Sequence, residues 1–524
     1  MNETLQERKS SLPMDVTASA VVFVMALLPR LAGDPRIPPF DDLYHLKRIA
    51  NFPHLLDFDP DRGAFCPWPP LYDFLLGSVH SLFGGVTWTA PLFLAACAAG
   101  VTWGMRRFGL LAALTAGLAL AVSPYLIGVS AAGHIDHHYV EPLLVLLILV
   151  ATVRRNGIWL GIAIAVALLV QPALFVAAGL AFVVLFLSSD AREGAKAFAI
   201  AAAVVIAYRL TRAAGYPDSA WFLGFPHAAL LGGAAVACAL RERVSRVTAF
   251  AGGVAVALSI RPTATAFFTG LHFFGGDPWL SSIVEFQPMF RHASEIGTDL
   301  ANLTGGALLG LFLWRKQRTV AFFSTAYLLL AISSRRFLVP AIAVFAISGA
   351  LAVASAHRRT FAIAAMAITL VPPIAFEVYA ARTPEPSHEE FRVIGERMRA
   401  LPPGRVLGPW SFGHAIDVIG RKPVVIDNFG SMPDEGTFTR AMEIMLSTRE
   451  ASLLRYCRHA YVRYLVLPHP AYIPATAATI GIPPELYSRT RLARRTVWSR
   501  LYDGERIAGF TRVSDGSIQV WQIE

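Results

Sequence analysis

The sequence predicts a polytopic α-helical membrane protein of about thirteen transmembrane helices, followed by a C-terminal external α/β domain. Three observations predict it. Of 524 residues, 55% are hydrophobic and only 16% charged, with a mean hydropathy of +0.51, whereas soluble domains carry about 25% charged residues. The apolar residues gather in runs of the length that a bilayer core about 30 Å thick requires. Basic pairs follow alternate runs, as the positive-inside rule asks. A single soluble domain, a disordered chain and a small secreted scaffold are excluded.

The first run, about residues 14–31, follows a short polar head containing Arg8 and Lys9. No small-residue cleavage site is present and further runs follow, so it reads as a retained helix rather than a signal peptide. Later runs lie at about 87–105, 108–128, 138–153, 157–171, 172–189, 195–211, 221–240, 246–260, 301–314, 318–333, 337–355 and 360–380. Arg106/Arg107, Arg154/Arg155, Arg192 with Lys196, Arg241/Arg243/Arg246, Arg315/Lys316/Arg318 and Arg358/Arg359 all follow even-numbered runs. A cytoplasmic N-terminus places every one of these in a cytoplasmic loop of a protein of the inner or plasma membrane. The formal charge of +10 is thus topological, and no nucleic-acid partner is expected.

On the opposite side, residues 34–86 form a long first external loop and residues 261–300 a second. From about Pro384 the composition shifts to charged residues, turns and β-like runs such as Tyr464–Leu467 and Ser517–Trp521. A transmembrane domain, 1–383, is therefore followed by a soluble external (periplasmic or extracellular) domain, 384–524. Cys97 and Cys238 lie in apolar runs, and Cys66 and Cys457 could face an oxidising compartment; the spacing does not say whether they pair.

Ionisable residues close to the bilayer are costly and tend to be functional. Four clusters fall on the external side: Asp41-Asp42-Leu43-Tyr44-His45; Gly133-His134-Ile135-Asp136-His137-His138 with Glu141; Ser282-Ile283-Val284-Glu285; and Ser334-Arg335-Arg336-Phe337. Carboxylates with few imidazoles suit Mg²⁺ or Mn²⁺ better than structural zinc. A cation beside an arginine can neutralise a phosphate or pyrophosphate leaving group. Each acidic cluster alone also reads as a solvated helix start, where carboxylates are favoured.

Taken together, these strings resemble the catalytic subunit of oligosaccharyltransferase, above all its archaeal and bacterial single-subunit forms. Asp41 to Arg48 resembles the family's first acidic motif, and Pro67-Trp68-Pro69-Pro70-Leu71-Tyr72 the rest of that loop. Gly133 to Glu141 is similar to the archaeal Asp-x-His motif, and Ser282 to Glu285 to the third motif. Ser334 to Phe337 resembles the arginine segment, and Gly408 to His414, Arg421 to Val425 and Asn428 to Gly430 the external-domain signature. The resemblance implies a GT-C class glycosyltransferase moving an oligosaccharide from a polyprenyl-(pyro)phosphate donor to asparagine of an acceptor protein or peptide, with inversion.

It further implies Mn²⁺ or Mg²⁺ held by Asp41, Asp136 and His138, with Asp42 and His137 as the register alternatives. Asp41 and Glu285 would hold the acceptor amide, whose nitrogen is a poor nucleophile until two carboxylates twist it out of conjugation. Arg336, with Arg335, would meet the donor pyrophosphate, and Trp410 and Ser411 the acceptor. One departure stands out: the family signature Trp-Trp-Asp-Tyr-Gly is here Pro409-Trp410-Ser411-Phe412-Gly413. A neutral serine cannot supply the charged acceptor that the aspartate offers to a substrate hydroxyl, a bond worth about 1.5–3 kcal/mol. A related GT-C transferase using a hydroxyl, a lipid or another peptide motif is therefore the alternative. A polytopic transporter with an external binding domain is a third reading, with no inverted repeat to favour it.

Overall fold

The computed structural model describes residues 12–31, 36, 40–55, 57–271, 277–291, 296–303, 305–314, 317–356, 358–380, 388–432, 434–488 and 491–524. The chain divides into two compact units. One comprises Met1–Ile37, Trp68–Gly270 and Gln287–Pro384; the other comprises Pro38–Pro67, Leu271–Phe286 and Glu385–Glu524. Parts of both expected external loops thus fold with the C-terminal segment.

The first unit is helical. Most apolar runs of the sequence form one helix, though 108–128 is divided into Leu110–Ala121 and Pro124–Val129, and the ends follow local chemistry. Gly157–Val170 begins where the Asn156 side chain accepts the Trp159 N–H, the usual way to satisfy an unpaired N–H of a first turn. It ends at Gln171, because Pro172 can neither continue the hydrogen-bond ladder nor leave its predecessor helical. The run expected at 301–314 is broken into Ile296–Leu303 and Gly306–Phe312. The cause lies in a neighbouring helix, Arg359–Ala380, which contains Pro372 and Pro373. Pro372 has no N–H for the Ile368 carbonyl four residues earlier, and the Gly305 N–H takes that carbonyl at 3.0 Å. A Cβ on Gly305 would lie 1.9 Å from the Ile368 side chain, so only glycine permits the approach.

Breaks of this kind shorten the helices. Among the described residues, Leu12–Leu31, Arg335–Ser355 and Arg359–Val378 are long and apolar enough to cross a membrane. Arg246–Leu258 with Arg261–Gly270 adds a fourth if this pair, bent by 103°, counts as one. The other apolar helices among them include Leu110–Ala121, Gly157–Val170, Phe225–Leu240 and Arg318–Ser333. Arg30, fully buried near the end of Leu12–Leu31, ties that helix to Leu110–Ala121. Its guanidinium donates to the Ala121 and Leu120 carbonyls at 2.9 and 3.3 Å and to Ser130 Oγ at 2.7 Å. It thereby satisfies carbonyls at the end of Leu110–Ala121 that have no partner in their own helix.

The second unit is built on a four-stranded mixed sheet. Arg405–Leu407 runs parallel to Val462–Pro468, which pairs antiparallel with Ile518–Ile523, itself antiparallel to Phe510–Ser514. Both β-like runs named from the sequence lie in this sheet. Tyr464, Val466 and Val520 are wholly buried, and the Trp498 indole N–H donates to the Pro468 carbonyl at 2.7 Å. None of the four cysteines is in a disulfide, so Cys66 and Cys457, both buried, are not bridged to each other.

Candidate active site

In the first unit, the sequence Asp136-His137-His138 enters the helix Glu141–Val153 through a 3-10 turn, His137–Val140. Gly133, with φ +95°, makes the preceding reversal. The turn points three side chains to one place: ligand atoms of His137, His138 and Glu141 all lie within 4.8 Å of one another. The two histidines are not equivalent. His137 is pinned on both nitrogens, Nδ1 at 2.7 Å from Asp136 Oδ1 and Nε2 at 2.6 Å from the Gln171 side-chain nitrogen. Since the amide can only donate, His137 Nε2 is an acceptor already in use. His138 Nδ1 lies 3.0 Å from Glu141 Oε1, which can only accept, so in the neutral imidazole Nδ1 carries the proton and Nε2 the lone pair.

That Nε2 lies 3.3 Å from Asp136 Oδ2. Two electron-rich atoms at this spacing favour a cation. Ligands about 2.1 Å from one metal lie about 3.0 Å apart at right angles and about 3.4 Å apart in a tetrahedron. Asp136 and His138 therefore fit the expected ligand pair, and a carboxylate behind a ligating imidazole, as Glu141 is here, is the usual support of such a site.

Glu141 makes a second connection. Arg336 donates to Glu141 Oε2 at 3.0 Å and to Oε1 at 2.5 Å, a two-pronged ion pair with both side chains buried. Arg335 donates to Asp299 Oδ2 at 2.8 Å, and the Phe290 N–H meets the same oxygen at 2.8 Å. Both arginines thus face buried carboxylates, and the pair with Glu141 uses two of the five N–H donors of Arg336.

Asp41, Asp42, Glu285, Trp410 and Ser411 lie in the second unit. Asp41 and Asp42 occupy the first turn of the helix Asp41–Ala50; Asp41 is partly exposed and Asp42 is buried. His414 Nε2 is 3.6 Å from Asp41 Oδ1, and its Nδ1 is 3.8 Å from Asp427 Oδ2. The imidazole stacks on Tyr44 and meets the edge of Phe429, and burial pushes its pKa down to about 4. Gly413 allows this: a Cβ there would lie 2.3 Å from the Asp427 backbone. Glu285 sits half-buried in the short turn Val284–Phe286.

Ser411, also half-buried, lies in the turn Trp410–Phe412. Here the structure supplies a tryptophan that the motif lacks. Trp279, buried, meets Trp410 edge-on at 5.8 Å between ring centroids and Phe438 at 6.0 Å. Asp277 caps its helix by accepting the Leu280 N–H and also accepts from Ser431 Oγ at 3.1 Å. Lys47, Asp59 and Asp417 form a further charged cluster in this unit. Trp279, Gln171, Asp299 and Asp417 are not among the sequence-predicted site residues, and Lys47 appears there only within the Asp41–Arg48 motif, since each owes its place to a partner far along the chain.

No protein-family profile matches the chain, and no curated protein matches it. Its fold is instead found among solved structures of an archaeal oligosaccharyltransferase. The Archaeoglobus fulgidus oligosaccharyltransferase AglB, in complex with an inhibitory peptide and a dolichol-phosphate, is 15% identical, with a TM-score of 0.78 over 96% of this chain and 79% of that one. The Archaeoglobus fulgidus enzyme tethered to an acceptor peptide containing the NVT sequon is 16% identical, with a TM-score of 0.75 over 97% and 80%. The enzyme in complex with Zn and sulfate is 17% identical, with a TM-score of 0.70 over 96% and 79%. The chain shares the archaeal oligosaccharyltransferase fold along nearly its whole length.

Proposed function

We propose that this protein is a membrane glycosyltransferase that moves an oligosaccharide from a polyprenyl-linked pyrophosphate donor to an asparagine of an acceptor protein. The observation that carries the reading is the continuous chain Asp136–His138–Glu141–Arg336 within that fold. A cation held by Asp136 and His138 would lie next to a guanidinium suited to a phosphate. Asp136, His138 and Asp41 would hold a divalent ion, which when bound supplies charge neutralisation for the departing pyrophosphate. Asp41 and Glu285 accept the amide N–H bonds of the acceptor and orient its nitrogen for direct, inverting attack on the anomeric carbon. The thirteen-span topology, with the N-terminus cytoplasmic and residues 384–524 external, belongs to the same reading.

The test is purified protein with lipid-linked oligosaccharide, Mn²⁺ and a sequon peptide. Glycopeptide should form, and Asp41→Ala or Glu285→Ala should nearly abolish it; full turnover in both variants removes the assigned chemistry. A second reading keeps the donor site but changes the acceptor, and Ser411 favours it. The same donor offered to peptides without a sequon, to hydroxyl acceptors and to lipids separates the two.

A further inference from the structure

Lys47, in the second unit, faces three carboxylates. Its ammonium lies 3.0 and 2.9 Å from the two oxygens of Asp59, 3.0 Å from Asp61 Oδ2, and 2.9 and 2.8 Å from the two oxygens of Asp417. Asp59 and Asp417 are buried, Asp61 is exposed and Lys47 nearly covered. Lys47 stands on the helix that carries Asp41 and Asp42 in its first turn. Asp417 stands in the π-helical turn Ala415–Ile419, directly after the segment carrying Trp410, Ser411 and His414. A second tie runs alongside, Arg62 donating to Asp427 Oδ2 at 3.2 Å.

We propose that Lys47 and Asp417 are a positioning pair: by clamping the helix of Asp41 to the segment of Trp410 and Ser411, they set the ion-holding and acceptor-holding sides of the reaction at a fixed spacing. The inference rests on the transferase reading above for what the clamp serves. Chemistry favours it over a general stabilising role. One ammonium among three carboxylates leaves an excess of negative charge, a poor arrangement for stability alone, since buried ion pairs are often no better than apolar packing. Burial, opposed by Lys47 and reinforced by Asp59 and Asp427, raises the Asp417 pKa to about 7. Burial also works against the charge on Lys47, but Asp417 and Asp59 outweigh it and hold the ammonium above its usual range.

The experiment uses the full chain in detergent or nanodiscs. Lys47→Met should raise both the half-saturating Mn²⁺ concentration and the peptide KM at least tenfold, with kcat at saturation within threefold of wild type. Lys47→Arg, whose guanidinium reaches the same carboxylates, should restore both constants to within threefold. Amide hydrogen exchange over residues 41–50 should quicken at least tenfold in Asp417→Asn. Unchanged exchange in Asp417→Asn, or a fall in kcat alone for Lys47→Met with both constants unmoved, overturns the proposal. Should Lys47→Met fail to fold, Asp417→Asn carries the same kinetic expectations. If exchange responds as stated but wild type transfers no glycan to any acceptor, the clamp stands and the transferase reading falls.

Discussion

Arg336 grips Glu141 with both prongs of its guanidinium, and the same carboxylate receives the imidazole of His138. One acidic side chain thereby fixes the expected phosphate-binding group and an expected metal ligand at once. The two residues are 195 positions apart in sequence.

Glu141→Gln keeps the shape but removes the charge. It should raise the donor KM and the half-saturating Mn²⁺ concentration together, each by about tenfold or more, the scale on which outer-shell partners affect metal affinity. Glu141→Ala should also lower stability by about 3–5 kcal/mol, because Arg336 is left buried without its counter-ion. Paired kinetics and thermal melts of both variants check this; a change in only one of the two constants contradicts the shared role.

The two histidines should separate cleanly. His138→Ala should lose bound Mn²⁺, measured by metal analysis after gel filtration and by spin-resonance titration. His137→Asn should keep most of it, since His137 is held by Asp136 and Gln171 on its two nitrogens. The reverse order would move the ligand set to the other register.

Asp417 makes a prediction about pH. Its folded pKa of about 7 lies above that of an ordinary aspartate, near 4. Between these values the folded chain keeps a proton that the unfolded chain releases. Its contribution to stability is full below about pH 4 and is lost as pH rises through about 7. The melting temperature of wild type should therefore fall across that window relative to Asp417→Asn, and the two curves should run parallel above it. Calorimetry at half-unit pH steps reads the difference directly.

Gly430 adopts φ +53°, and a Cβ there would lie 2.0 Å from the Trp279 ring. Gly430→Ala should lower stability by about 1 kcal/mol or more from the backbone alone and should displace the indole. Trp279→Ala should lower stability by about 3–5 kcal/mol, as for other large buried aromatics. Both variants should alter tryptophan emission, and a spectrum identical to wild type would contradict the packing of Trp279 on Trp410.

The sequence shows best what depends on neighbours. The helical runs, their approximate ends and the strands around Tyr464 and Val520 follow from local apolar pattern and turn chemistry. The Asp136-His137-His138 turn is legible for the same reason, since its clustered side chains come from the nine residues Gly133 to Glu141. Long-range partnerships are not written locally. The break near Gly305 depends on a proline some sixty-seven positions later, and the carboxylates facing Arg335 and Lys47 come from Asp299 and Asp417. The division of the chain was hidden similarly, because residues 38–67 and 271–286 look like loops until the strands and turns of 385–524 are present to receive them.

The 370 positions between Lys47 and Asp417 also govern biogenesis. In the proposed topology, a ribosome delivers Asp41 and its helix to the far side of the bilayer long before the turn that carries Asp417 is made. Until residue 417 has been made, that helix lacks the Asp417 partner of its Lys47. Shortened chains that insert correctly into the membrane should therefore still emerge inert.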